Sequence, residues 1–111
     1  MLDVHVKQDG STVTVAPEGE LDLASARRLN APLAAAAEHG VARVLLDLRG
    51  LTFIDSSGIG LIMKFQRHYA AEGIAFALIR GGERVQRALE LSHVQALLRW
   101  ADEPPDGMAV S

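Results

Sequence analysis

Cysteine is absent from this 111-residue chain. With it go a disulfide framework, a cysteine-ligated zinc or iron–sulfur site and a thiolate nucleophile. Long apolar runs are missing as well: no uncharged stretch approaches the roughly 18 residues that a membrane-spanning helix needs. The start, Met1-Leu2-Asp3-Val4-His5, lacks the basic-then-apolar order of a secretory signal, so a cytoplasmic location is expected. Positive charge is not concentrated anywhere. Eleven Lys and Arg against fourteen Asp and Glu leave a net charge of −3, which argues against direct binding to nucleic acid or an anionic membrane. What the chain does have is apolar content: 49% hydrophobic residues, mostly Ala, Leu and Val, enough for the core of one domain without metal or disulfide staples.

Periodicity orders that content into elements. Leu2, Val4 and Val6 alternate with Asp3, His5 and Lys7, the period-2 pattern of a half-exposed strand. Asp9-Gly10 reads as the centre of a type I′ hairpin turn, and Thr12 to Ala16 as the returning antiparallel strand. Past Gly19-Glu20-Leu21-Asp22 the period becomes helical, with Leu29, Leu33, Ala36 and Ala37 on one face and His39-Gly40 as the stop. Pro32 lies inside that run and predicts a kink or a late restart of the helix. Val44 to Leu48 is a buried central strand, Arg49 to Asp55 a loop, and Ile59, Ile62, Met63, Gln66 and Ala70 one face of a second helix ending at Gly73. Ile74 to Ile79 is a further strand; Val85, Ala88 and Leu89 mark a third helix; Val94 to Trp100 reads as the last strand, or as a continuation of that helix.

The order β-β-α-β-α-β-α-β predicts an α/β fold: a mixed, mostly parallel sheet with an N-terminal antiparallel hairpin and helices packed on it. One domain is expected over residues 1–101. Residues 102–111, carrying Pro104-Pro105 and Gly107, read as a flexible C-terminal tail.

Chemistry-bearing residues gather in Asp55-Ser56-Ser57-Gly58-Ile59-Gly60, where a buried strand has ended and a helix begins. Asp and Ser are favoured N-caps, but a cap uses one side chain and this turn offers three. A spare serine here is a candidate phosphate acceptor, because a helix N-terminus tolerates the charge of about −1.5 to −2 that a phosphate brings. Chemistry alone leaves Ser56 and Ser57 both open. A second cluster, Glu18-Gly19-Glu20-Leu21-Asp22, precedes the first helix, with Asp22 as its expected N-cap. Both clusters follow strands of a parallel sheet and should meet at one end of it.

Other motifs fail. The serines lack the first glycine of a Gly-x-Ser-x-Gly elbow. No glycine-rich stretch ends in Gly-Lys-Ser or Gly-Lys-Thr, and His5, His39, His68 and His93 have no partners at metal-ligand spacing. No metal, cofactor or catalytic residue is expected. A small hydrolase built on Ser56 or Ser57 lacks a base in evidence.

Taken together, Gly19-Glu20-Leu21-Asp22 and Asp55-Ser56-Ser57-Gly58-Ile59-Gly60 resemble the two motifs of the STAS family, and specifically the small stand-alone anti-sigma factor antagonists of bacteria. The resemblance spans about residues 3 to 100. It implies a protein switch and not an enzyme: the unphosphorylated chain would bind an anti-sigma factor that is also a serine kinase, freeing a sigma factor. Phosphorylation would switch it off and a phosphoserine phosphatase would restore it. Matching the motifs places the phosphate on Ser56 and partner contact at Glu20, Asp22, Asp55, Ser57, Gly58 and Ile59. Phosphate beside Asp55, Asp22 and Glu20 would then repel or block a partner that is acidic or tightly packed there. The alternative within the family is a scaffold or regulatory subunit of a signalling complex or of a transporter ATPase, for which an exposed apolar patch at Leu61 and Phe65 would be the sign. Two departures from the family pattern stand out: Pro32 in the first helix, and Ser92-His93 where relatives often carry a glycine after the third.

Overall fold

Alternation of apolar and polar residues drives the first two strands together. β1 (Leu2–Asp9) and β2 (Thr12–Leu21) pair antiparallel from Leu2↔Gly19 to Asp9↔Thr12. The computed structural model describes residues 1–38 and 40–101; the expected tail, 102–111, and His39 lie outside the described residues. Because Asp9 pairs with Thr12, the two-residue turn is Gly10-Ser11, one step later than expected. Gly10 alone of the two has positive φ (62°), the pattern of a II′ turn and not of I′, which requires it twice.

β2 continues past Ala16 and serves two partners. Its first half pairs in parallel with β3 (Arg43–Asp47), and beyond a bulge at Gly19/Glu20 its second half pairs in parallel with β4 (Leu51–Ile54). The expected loop from Arg49 to Asp55 therefore contains a strand. Its burial runs buried, exposed, exposed, buried, which carries no period-2 signal. β5 (Ala75–Ile79) pairs with β3, and β6 (Trp100–Ala101) with β5, completing the order β1-β2-β3-β5-β6 with β4 off the path. Of the strand expected over Val94 to Trp100, Gln95–Leu97 is a 3-10 turn and only Trp100 is in a strand. The Trp100 indole N–H donates to the Gln95 carbonyl at 3.0 Å, which folds that segment back and leaves two residues for the sheet.

From β2 to β3 to β5 to β6 the chain advances in one direction. Right-handed crossovers then put every connecting helix on the same face of the sheet. α1 (Ala26–Ala36) buries Leu29, Leu33 and Ala36; α2 (Ser56–Ala71) buries Gly58, Ile59, Ile62, Phe65 and Tyr69; α3 (Glu83–Leu91) buries Val85 and Leu89. All except Gly58 belong to one cluster with Val15, Val44, Leu46 and Leu78 of the sheet. α1 runs through Pro32 without interruption. The buried face of α2 is rotated from the expected one: Phe65 and Tyr69 fill it, whereas Ala70 is exposed and Met63 and Gln66 are half-buried. Phe65 is therefore core and Leu61 is half-buried, so the apolar patch that would have favoured the scaffold alternative is not formed.

Beyond α3, His93 takes φ +60°. The turn keeps a left-handed conformation that glycine adopts most readily, with a histidine in its place.

Candidate functional site

The carboxyl ends of β2 and β4 build the site. Leu21↔Ile54 is their last pair, and the Asp55 N–H donates to the Leu21 carbonyl at 3.2 Å. Each strand then runs into a helix, so the two turns lie side by side. The expected meeting of the two motifs is what the fold produces, through β4 and not directly through β3.

On the β4 side, Asp55 is the cap of α2. In extended conformation (φ −117°, ψ −172°), its Oδ1 accepts from Ser57 N at 2.9 Å and Gly58 N at 3.2 Å, satisfying two N–H groups that have no partner within the helix. That assigns the capping role and releases both serines from it. Ser56, the first helical residue, is exposed, and its hydroxyl has no hydrogen-bond partner among the described residues; Ser57 is half-buried. Ser56 thus presents a free hydroxyl at the positive end of a 16-residue helix.

Gly58 and Ile59, expected to touch a partner, also have a structural part in the free chain. Both are buried. A Cβ on Gly58 would lie 2.7 Å from Leu21 Cγ and 2.8 Å from Ile54 Cγ1, so the missing side chain is what lets α2 rest on the ends of β2 and β4. Ile59 is part of the core cluster. Their work is to seat the helix that carries Ser56.

On the β2 side, Asp22 and Ser25 form a reciprocal box. Asp22 Oδ1 accepts from Ser25 N at 3.0 Å and from the Ser25 hydroxyl at 2.9 Å, while the Asp22 N–H donates to Ser25 Oγ at 2.9 Å. This is capping-box geometry set one turn ahead of the regular helix, whose first residue is Ala26. Asp22 caps that preliminary turn. The Ser25 backbone N–H, followed by its hydroxyl, holds the Asp22 carboxyl below its ordinary pKa. The single Ser25 hydroxyl proton is shared between Asp22 Oδ1 and the Glu20 carbonyl, which lies 2.7 Å from Oγ on the strand end that carries Glu20. Glu20 itself is exposed, with Oε1 3.7 Å from the N-terminal ammonium.

Three residues of the site are not singled out by sequence reasoning. Ser25 is buried, and the Asp-x-x-Ser spacing of Asp22 and Ser25 is the signal that could have found it. Leu23 and Phe53 are exposed apolar residues on the two sides of the site; nothing in a single sequence marks an apolar residue as facing water. Among the described residues no cluster of three or more His, Asp or Glu could hold a metal ion, and no helix is long and apolar enough to cross a membrane.

Comparison with known proteins agrees with this architecture. Residues 3–104 match the family model of the STAS domain. The chain is 30% identical over 82 residues to an anti-sigma F factor antagonist of Lysinibacillus sphaericus, covering 73% of this chain and 70% of that one. Among solved structures, an anti-sigma factor antagonist from Mycobacterium paratuberculosis has the same fold, with a TM-score of 0.84 at 17% identity, over 96% of this chain and 90% of that one. The anti-sigma factor antagonist SpoIIAA in its unphosphorylated form gives 0.76 at 23% identity, over 91% and 90%. With its two motifs side by side at the carboxyl ends of β2 and β4, the chain belongs to the STAS domain family.

Proposed function

We propose that the chain is an anti-sigma factor antagonist whose unphosphorylated form binds an anti-sigma factor with serine kinase activity, so that a sigma factor is set free, and that phosphorylation of Ser56 ends the binding. The observation that carries this reading is the free, exposed Ser56 hydroxyl at the start of α2, left available because Asp55 does the capping. The name of the Lysinibacillus sphaericus relative, an anti-sigma F factor antagonist, supports the partner class.

Ser56 suits a modified residue for three reasons. Its hydroxyl is accessible to a kinase; its position tolerates the added charge, since helix N–H groups and the helix dipole favour an anion there; and the capping bonds of Asp55 do not pass through it. Phosphate would therefore alter the surface and leave the fold in place. Ser57, half-buried behind it, is the poorer acceptor. The chain acts in this account as a regulatory protein in the cytoplasm and not as a catalyst, with a phosphoserine phosphatase returning it to the binding form.

The test is affinity for a purified anti-sigma serine kinase of the same genome. Ser56→Ala should bind at least as tightly as the natural chain and hold the complex in the presence of ATP. Ser56→Glu should bind at least tenfold more weakly. Equal affinity of all three would refute the switch.

A further inference from the structure

Leu23 and Phe53 are apolar residues left exposed on the two segments that build the Ser56 site. The parallel register pairs Glu20 with Phe53 and Leu21 with Ile54, so Leu23 and Ser56 each stand two residues beyond the last pair. Leu23 is 76% exposed and Phe53 is 37% exposed. Burial of such side chains against a partner is favourable, and exposed apolar residues within a polar border are what interaction surfaces use as anchors. Here the border is acidic, made of Glu20, Asp22 and Asp55.

That border constrains the partner and the release step together. A surface that receives three carboxylates is not itself acidic; charge complementarity calls for Arg or Lys around the contact. Against such a rim one more negative charge is attracted, so like-charge repulsion does not explain release. Desolvation does: a phosphate is strongly hydrated, and moving it into a dry apolar contact without full pairing is costly.

We propose that Leu23 and Phe53 are the apolar anchors by which the chain docks into an apolar pocket on its anti-sigma factor, rimmed by Arg or Lys, and that phosphate on Ser56 releases this partner by bringing a hydrated dianion to the edge of that dry contact. The regulatory half of this inference rests on the Ser56 reading; the docking half does not.

The experiment measures the affinity of purified anti-sigma factors of the same genome for Leu23→Ser, Phe53→Ser and, as a control, Leu97→Ser. Leu97 is also exposed, but it precedes β6 at the amino end of the parallel strands, away from Ser56. All three positions are exposed, and thermal unfolding checks that each variant is folded. Loss of tenfold or more for the Leu23 and Phe53 variants, with Leu97→Ser unchanged, is expected. Binding within twofold of the natural chain for both, while Ser56→Glu still weakens it, would overturn the anchors and leave the switch standing. Weak binding of the anchor variants with full binding of Ser56→Glu would do the reverse. No binding of the natural chain by any anti-sigma factor would overturn both. Salt separates the release mechanisms: from 0.1 M to 1 M the Debye length falls from about 10 Å to about 3 Å. The phosphorylated chain should stay released at 1 M, and recovery of binding there would show that repulsion drives release.

Discussion

Gly58 and Gly60 lie two residues apart on α2 and should respond oppositely to the same substitution. An added Cβ on Gly58 meets Leu21 Cγ at 2.7 Å, Ile54 Cγ1 at 2.8 Å and Leu21 Cδ2 at 2.9 Å, whereas one on Gly60 meets nothing within 4 Å. Leu21 and Ile54 are themselves buried, so neither can swing into open space. Overpacking of this kind costs about 1–3 kcal/mol. Alanine returns up to about 1 kcal/mol of helix propensity over glycine, leaving Gly58→Ala neutral to roughly 2 kcal/mol destabilising and Gly60→Ala stabilising. Propensity largely cancels between the two variants, so their difference isolates the packing contact. At about 4–8 °C per kcal/mol for a domain near this size, Gly60→Ala should melt several degrees above Gly58→Ala in thermal unfolding. If Gly58→Ala melts as high as Gly60→Ala, α2 does not rest on β2 and β4 as described. A functional loss should accompany the structural one: α2 relieves the clash by shifting away from Leu21, which moves Ser56 relative to the Glu20–Ser25 turn, so partner affinity should fall in Gly58→Ala and hold in Gly60→Ala.

Asp55→Ala removes the cap of α2 and should cost about 0.5–2 kcal/mol in urea unfolding, with Asp55→Asn recovering most of it; an alanine variant of full stability would contradict the capping geometry. Ser25→Ala takes the hydroxyl from the Asp22 box, so the Asp22 carboxyl, held low in the natural chain, should move up towards its ordinary value in an NMR titration. The sign follows from that direction: a lowered native pKa stabilises the turn fully above about pH 4, and the contribution is lost as the pH falls through the native value. Tyr69→Phe deletes the hydroxyl that donates to the Leu33 carbonyl, and the unpaired buried carbonyl should cost about 1–3 kcal/mol. In the natural chain, burial pushes the Tyr69 phenol above its ordinary pKa, so its phenolate absorbance should be missing at a pH where exposed tyrosine has ionised.

Elements with an unambiguous period are legible in the amino-acid order alone. The continuous apolar run of β3 and the Leu29/Leu33/Ala36 stripe of α1 each admit one burial pattern, while the alternation in β1 holds for Leu2 and Val4 and fails at Val6, which is exposed. α2 does not: Ile59, Leu61, Ile62, Met63, Phe65 and Tyr69 make it apolar on more than one side, and the bulk of Phe65 and Tyr69 against the sheet settles the phase. β4 is illegible because it exists through its partner. Four residues without alternation become a strand only where β2, bulged at Gly19/Glu20, supplies the matching edge. The same bulged strand brings Glu20 and Asp22 to Asp55 and Ser56, so the motifs can be read from sequence while the strand that joins them cannot. Ser25, Leu23 and Phe53 owe their importance to burial or exposure, which only the assembled sheet decides.

Phosphorylation is expected on Ser56 and not on Ser57. Incubation of the chain with ATP and a purified anti-sigma serine kinase of the same genome, followed by intact mass and phosphopeptide mapping, tests it most directly. A single added phosphate is expected, located on Ser56 and absent from Ser56→Ala. A phosphate on Ser57, or tight complexes with such kinases in which the chain is never phosphorylated, would contradict it.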